Sequence, residues 1–251
     1  MRNFKLSIVV PALNQASKIN ETVGGILPLA RMYLEDFEII LVDDGSTDNT
    51  GAIMDRFALR DPKVRVIHNS HPMGEGFAFK TGLEMASFDA MTLIPGDGTF
   101  RNASIGRMLR AAGAADLVIT YRDNQSDIGF SRAILSHLAR FALNVIFGFW
   151  LADHHSLIIY PVAPLRDLPM KDPRRDHQIY VLISLLRRGL TYVQVPVSLD
   201  TPAKGSSRKT RPRNHLDVFK NVLSLLYDST ADELSASGAI LEEFAYPSIF
   251  T

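Results

Sequence analysis

Five short runs of branched apolar residues, each halted by proline, glycine, aspartate or histidine, constrain this chain more than any other feature. They are LSIVVPAL (6–13), FEIILVDDG (37–45), VRVIH (64–68), AMTLIPGDG (90–98) and DLVIT (116–120). Runs this short, without polar alternation, read as strands buried on both faces. Helical spacing separates them. After Ser17, the residues Ile19, Val23, Ile26, Leu27 and Ala30 share one face, although Gly24, Gly25 and Pro28 weaken the segment. After Asp48, Ile53 and Phe57 stand four apart. Such alternation predicts an α/β fold with a mostly parallel central sheet flanked by helices and right-handed crossovers. A sheet of that kind binds ligands beyond the carboxyl ends of its strands. Asp43, Asp44 and Asp97 all fall at such ends.

The second half changes character. Ser131 opens an amphipathic stripe of Ile134, Leu135, Leu138, Phe141, Ala142, Val145, Ile146 and Phe149. A further helix is expected over 176–189, stopped by Gly189, and a strand over 191–199. The segment 202–213 then carries five Lys or Arg and no acid, 216–227 regains an apolar stripe, and the sequence from Asp228 lacks a clear period. The expected organisation is one domain over 1–227, with halves 1–121 and 122–227, and a tail over 228–251.

Composition narrows the classes. Of 251 residues 46% are hydrophobic, enough for a substantial core. Lys plus Arg equals Asp plus Glu at 27 each, so no overall field recruits nucleic acid and an anion site must arise from local clustering. There is no cysteine, which suits a reducing compartment. The opening apolar run is too short for a signal peptide, and 141–152 is too short to span a bilayer, so the expected location is cytoplasmic.

Three motifs carry chemistry. VDDGSTDNT (42–50) places carboxylates at a strand end before helix-capping Ser, Thr and Asp, where an acid can accept hydrogen bonds from a base or ribose. An ordinary strand-to-helix connection explains the stretch equally well in isolation. Its spacing fails the EF-hand pattern. HPMGEGFAFKTG (71–82) sets Gly74 and Gly76 before a helix, so that backbone N–H groups can approach a phosphate with Lys80 adding charge. It has neither Walker nor dinucleotide spacing. In ADHHS (152–156) the histidines are adjacent and lack cysteine support, against structural zinc, and the stretch reads either as a polar loop or as a helix end that offers Asp153 to the cleft as an acid or base.

Together these stretches resemble the family 2 glycosyltransferases of GT-A fold, in the polyprenyl-phosphate branch that includes dolichol-phosphate-mannose synthases, over about residues 6–225. SIVVPALNQASKI is similar to the family's opening strand and turn, with Leu13 and Gln15 where an aromatic and a glutamate are usual. EIILVDDGSTDNT resembles its nucleoside-binding segment. The resemblance implies a Rossmann-like half that binds a nucleoside-diphosphate sugar through Pro11, Ala12, Asn14, Asp43, Asp44, Gly45, Gly74, Lys80 and Gly96. IPGDGTF lies where the family carries Asp-x-Asp: Pro95 replaces the first acid and Asp97 matches the second, implying one carboxylate for Mg2+ or Mn2+. Arg122, Arg132, Lys204, Ser206, Ser207 and Lys209 would face phosphates. Asp97, Asp153, Arg122 and Arg132 are the catalytic candidates.

The implied reaction is inverting transfer to a lipid phosphate, or to a sugar hydroxyl with Asp153 or Asp176 as base. The helix over 131–150, ending in Phe147, Phe149 and Trp150, has two readings, core or contact with the inner face of a membrane. A nucleotide-sugar binder without catalysis, and a sugar nucleotidyltransferase, remain as alternatives. The sequence leaves the sugar, the nucleotide and the oligomeric state open.

Overall fold

The computed structural model describes residues 4–122, 144–145, 148–153, 156–168 and 177–199. Seven strands form one sheet: β1 (Lys5–Ala12), β2 (Asp36–Asp43), β3 (Val64–His68), β4 (Ala90–Leu93), β5 (Leu117–Arg122), β6 (Ile158–Pro161) and β7 (Tyr192–Val197). Their order is β3-β2-β1-β4-β6-β5-β7, and β6 alone runs against the others. The described helices are α1 (Ile19–Tyr33), α2 (Thr50–Arg60), α3 (Glu75–Met85), α4 (Asn102–Arg110), α5 (Val162–Arg166) and α6 (His177–Arg187).

Period-two alternation divides the apolar runs between two cores. Ile8, Val10, Ile39 and Leu41 pack with Ile19, Val23 and Ile26 of α1, Met54 of α2, and Ile105 and Met108 of α4. Val9, Ile40 and Val42 point the other way, to Ala78, Phe79 and Leu83 of α3 and to Val181, Leu182 and Leu185 of α6. Helices on both faces explain why β1 and β2 read as unbroken apolar runs.

Helix α1 runs through Pro28 without a break. The proline removes a hydrogen bond to the carbonyl of Gly24, and both residues lie on the exposed face, where water can take that acceptor. The buried stripe of α1 holds the helix across this defect.

Three elements were not expected from the sequence: β6, α4 and the five-residue α5. β6 is four residues long and closed by Pro161, and α4 spans nine residues. β6 matters most, because it separates the β1–β4 half of the sheet from β5 and β7 and brings its own beginning alongside the end of β4. Among the described residues no helix is long and apolar enough to cross a membrane. Most of 131–150, together with Asp176, the basic segment 202–213, the stripe 216–227 and the tail from 228, lies outside the described residues.

A close helix-to-sheet approach tests this packing. A Cβ at Gly82 of α3 would sit 2.3 Å from Val9 Cγ2 on β1. Gly82→Ala is expected to reduce unfolding free energy by about 1–3 kcal/mol through overpacking, measured by urea denaturation. An unchanged midpoint would mean that α3 stands further from β1.

Candidate active site at the carboxyl ends of the strands

Two consecutive carbonyls of β1 join the strand ends. Successive residues of a strand address opposite neighbours, and here Asp44 N donates to the Ala12 carbonyl at 2.9 Å while Gly96 N donates to the Pro11 carbonyl at 2.9 Å. Pro11 has no N–H, so the ladder with β4 stops at Val9 and Leu93 and the chain beyond turns away. Gly96 fits tightly there, since a Cβ would lie 2.9 Å from the Pro11 carbonyl oxygen. The turns carrying Asp44 and Asp97 therefore hang on either side of one strand.

Asp44 is buried and heavily engaged. Its Oδ1 accepts from Asn69 Nδ2 at 2.9 Å and Met73 N at 2.8 Å, and its Oδ2 accepts from Gly74 N at 2.8 Å. These contacts fill three of roughly four acceptor positions on a carboxylate. Asp44 thus latches loop 69–74 against the end of β2. Gly45, with φ +74°, lies under that loop, where a Cβ would meet the His71 carbonyl carbon at 2.6 Å. Gly74, with φ +97°, then turns the chain into α3.

A second set of bonds stitches the loop after β1 to the loop after β2. Asn14, in the left-handed region at φ 53°, donates its N–H to Ser46 Oγ at 3.0 Å, and its side-chain oxygen accepts from Thr47 N at 2.9 Å. Gln15 N donates to Thr50 Oγ1 at 2.8 Å and Ala16 N to Asp48 Oδ2 at 3.1 Å. The Thr50 hydroxyl, ahead of the Thr50 and Ala16 backbone donors, holds the Asp48 carboxyl below its usual range. Beneath this rim, Asp43 Oδ1 accepts from Ser46 N at 3.0 Å while its Oδ2 lies 2.9 Å from His68 Nδ1.

On the other side, Asp97 Oδ1 accepts from the Thr99 N–H at 2.9 Å and from the Thr99 hydroxyl, which shapes the turn. Pro95 and Phe100, on either side of Asp97 in this turn, wall a small solvent-open cleft of about 80 Å³. Glu75 and Phe79 line it from α3, and Tyr160 and Gln178 from β6 and α6. Tyr160 packs edge-on to Phe79 with ring centroids 5.6 Å apart, and burial pushes its phenol well up. Leu199, just past β7, bridges Phe100, so the strand that leads into the basic segment ends beside the Asp97 turn.

Arg122 and Asp153 meet each other: Arg122 Nε donates to Asp153 Oδ2 at 3.0 Å. Asn144 clamps Leu151 through two hydrogen bonds and Gln194 holds the backbone at Trp150 and Ala152, which fixes the loop carrying Asp153. Lys80 follows Gly76 by four residues on α3. It lies in the second turn of α3 with its Nζ 3.8 Å from Glu84, an exposed pair of small energetic weight. Arg132, Asp176, His154, His155, Lys204, Ser206, Ser207 and Lys209 lie outside the described residues. Among the described residues no three His, Cys, Asp or Glu side chains gather as a metal site.

Sequence reasoning passed over His68, Thr99, Glu75, Tyr160 and Gln178. The partners of His68, Tyr160 and Gln178 come from distant segments, and no local spacing marks them, whereas Thr99 bonds Asp97 two residues before it. Sequence reasoning also offered the Asp44 carboxylate to a base or ribose, whereas its oxygens hold the protein's own loop. Asp44→Ala is therefore expected to reduce unfolding free energy by about 2–3 kcal/mol, the scale of stranding buried donors. Hydrogen exchange over residues 69–76 should quicken with it, and unchanged exchange would show that the latch does not hold the loop.

Comparison with known proteins gives the family and the fold. The family profile described as Glycosyl transferase family 2 matches residues 7–158. The undecaprenyl-phosphate mannosyltransferase of Micrococcus luteus is 32% identical over 217 residues, covering 82% of this chain and 87% of that protein. Glycosyltransferase GlyG of Streptococcus pneumoniae is 35% identical over 129 residues, which are 50% of this chain but 42% of that protein, so the chain spans less than half of that relative. Among solved structures, the glucosyl-3-phosphoglycerate synthase of Mycobacterium tuberculosis, in complex with Mn2+, uridine diphosphate and glucosyl-3-phosphoglycerate, superposes with a TM-score of 0.64 at 21% identity. That superposition covers 88% of this chain and 79% of that one, and it bears on the fold. With the profile spanning more than half of its residues and the Micrococcus relative aligned over most of its length, the chain belongs to glycosyl transferase family 2.

Proposed function

We propose that this chain transfers a sugar, with inversion, from a nucleoside-diphosphate sugar to a polyprenyl phosphate. The observation that carries the proposal is the suspension of the Asp44 and Asp97 turns from neighbouring carbonyls of β1, with the cleft walled by Pro95 and Phe100 beside them. A donor lying across β1 would meet the Asn14–Ser46 rim with its nucleoside, the Asp97 turn with its pyrophosphate and the cleft with its sugar. The undecaprenyl-phosphate mannosyltransferase activity of the Micrococcus relative, matched over most of both lengths, supports the choice of acceptor.

In the reaction, an acceptor phosphate oxygen forms a bond to the anomeric carbon from the face opposite the departing diphosphate. The C–O bond to the diphosphate breaks with its electron pair. An ionised phosphate acceptor needs no general base. The pairing of Asp153 with Arg122 fits that economy, because it orients the guanidinium through Nε and leaves its terminal amino groups as donors to an anion. Leu199 ends beside Phe100, and Lys204 follows five residues later, within roughly 17 Å of extended chain. Lys204, Ser206, Ser207 and Lys209 are therefore assigned to phosphate contact and to stabilising the leaving charge.

Asp97 fits a divalent cation only in part. It supplies one carboxylate, and Mg2+ or Mn2+ would complete its shell with donor phosphate oxygens and water. When bound, such an ion would offset charge on the leaving diphosphate. On this reading metal and donor bind together. The exposed Val145 and Trp150, with half-buried Phe149 between them in the chain, support contact with a membrane surface bearing the lipid acceptor.

Asp97→Asn is expected to lower transfer to undecaprenyl phosphate in vesicles about 100-fold or more, as loss of a group that stabilises leaving charge does, with the melting temperature preserved. Full activity in that variant would remove metal assistance from the account. A wild-type chain that binds the donor yet leaves it intact in Mg2+ and in Mn2+ would instead be a binding protein.

A further inference from the structure

We propose that His68 is a positioning residue for donor binding, which fixes the loop around Ser46 by bridging Asp43 on β2 to Asp55 on α2. The inference rests on the transferase reading above.

His68 ends β3 directly opposite Asp43 in the parallel ladder. Its Nδ1 lies 2.9 Å from Asp43 Oδ2 and its Nε2 lies 3.1 Å from Asp55 Oδ1. Carboxylates only accept, so the complete bridge requires hydrogen on both ring nitrogens, which makes His68 an imidazolium in this arrangement. Asp43, the larger influence, and then Asp55 hold its pKa above the usual imidazole range against partial desolvation. Gly51, at the start of α2, closes over the pair: a Cβ there would lie 2.6 Å from Asp43 Oδ2 and 3.2 Å from the imidazole Cε1.

The consequence travels along hydrogen bonds. Asp43 uses its second oxygen to hold the Ser46 N–H, and Ser46 Oγ accepts the Asn14 N–H. An Asp43 carboxylate fixed by His68 therefore fixes the turn after β2 and, through it, the loop after β1. These two loops form the rim assigned to the nucleoside. Without His68 the carboxylate can rotate and the rim loosens while the Asp97 turn, hung separately on Pro11, stays in place. The effect should therefore fall on donor affinity rather than on turnover.

The sign with pH follows. The bridged form is fully present below the ordinary imidazole pKa and is lost as pH rises through the raised one, because the neutral ring can no longer donate to both acids. Donor KM should increase on the alkaline side of that transition.

The test uses the full chain with His68→Ala, His68→Asn and Asp55→Asn. Donor KM is expected to rise about tenfold in His68→Ala, the scale of one hydrogen bond to a charged group, with kcat little changed. His68→Asn, which keeps a single donor towards Asp43, should fall between it and wild type. The alkaline rise in KM should disappear in both His68 variants and weaken in Asp55→Asn, and hydrogen exchange over 13–17 and 44–50 should be faster in His68→Ala. Unchanged KM, a fall in kcat alone, or a wild-type pH profile surviving in the variants would overturn the proposal, as would unchanged exchange. A wild-type chain that binds no nucleoside diphosphate would overturn the transferase reading and the donor role together. Intact donor binding with unaltered exchange would overturn the His68 bridge alone.

Discussion

The carbonyls of Pro11 and Ala12 set the geometry on which everything else at this end of the sheet depends. They are adjacent in sequence, point to opposite neighbours, and each accepts a backbone N–H from a turn that carries an acid. Their position is fixed by β1, which is paired over its whole length with β2 and sandwiched between two apolar cores. Movement of one turn relative to the other would require β1 itself to shift. Close packing in both cores resists that, because each side chain that moves leaves a void or makes a clash. The site is thus preorganised by the hydrophobic packing beneath it.

The buried acids serve this scaffold first. A carboxylate taken out of water without partners costs several kcal/mol, and Asp43 and Asp44 avoid that cost by accepting from backbone and side-chain donors in distant segments. The opposite end of β2 uses the same device. Glu38 accepts from the Ser7 hydroxyl and the Ser87 N–H, each at 2.6 Å, and pairs with Arg65, tying β1, β2 and β3 to the chain before β4. One strand thus carries a charged anchor at each end and apolar residues between them. This arrangement holds its register against a slip, because moving by one residue would strand both anchors.

The legibility of the sequence follows from the range of the interactions. Five runs identified from composition became strands, and the spacing of Ile19, Val23 and Ile26 identified α1 despite Pro28, since burial on both faces leaves a local mark. β6 left little mark: three residues and a closing proline carry too short a pattern, and its antiparallel direction is set by pairing with β4 and β5. Asp43, Asp44 and Asp97 were legible as strand-end acids. The engagement of Asp44 with Met73 and Gly74 was not, because its partners are backbone groups 29 and 30 residues away. Lys80, four residues after Gly76 on α3, has its Nζ 3.8 Å from Glu84, an exposed pairing that helical spacing alone makes local. His68 resembled any other polar strand end until the fold set Asp43 and Asp55 on either side of it.

The proline at position 95 and the cleft beside it belong to one arrangement. Pro95 shares its wall with Leu93, Phe79, Phe100 and Leu157. An aspartate there would present a charge to that apolar surface and would need a cation or several donors to remain ionised without penalty. With proline the wall carries no such demand, and the cleft keeps its form whether or not a cation is near. On the transferase reading, Asp97 is then the remaining acid of the pair, and metal affinity draws on the phosphates of the donor for the charge that position 95 no longer supplies. The cleft in turn offers flat apolar surface, from Phe79, Phe100 and Pro95, of the kind against which the C–H face of a sugar ring packs. On that same reading, proline at position 95 leaves a metal site to be assembled with the donor's phosphates, beside a wall whose apolar part would seat the sugar and whose polar part is Glu75 and Gln178.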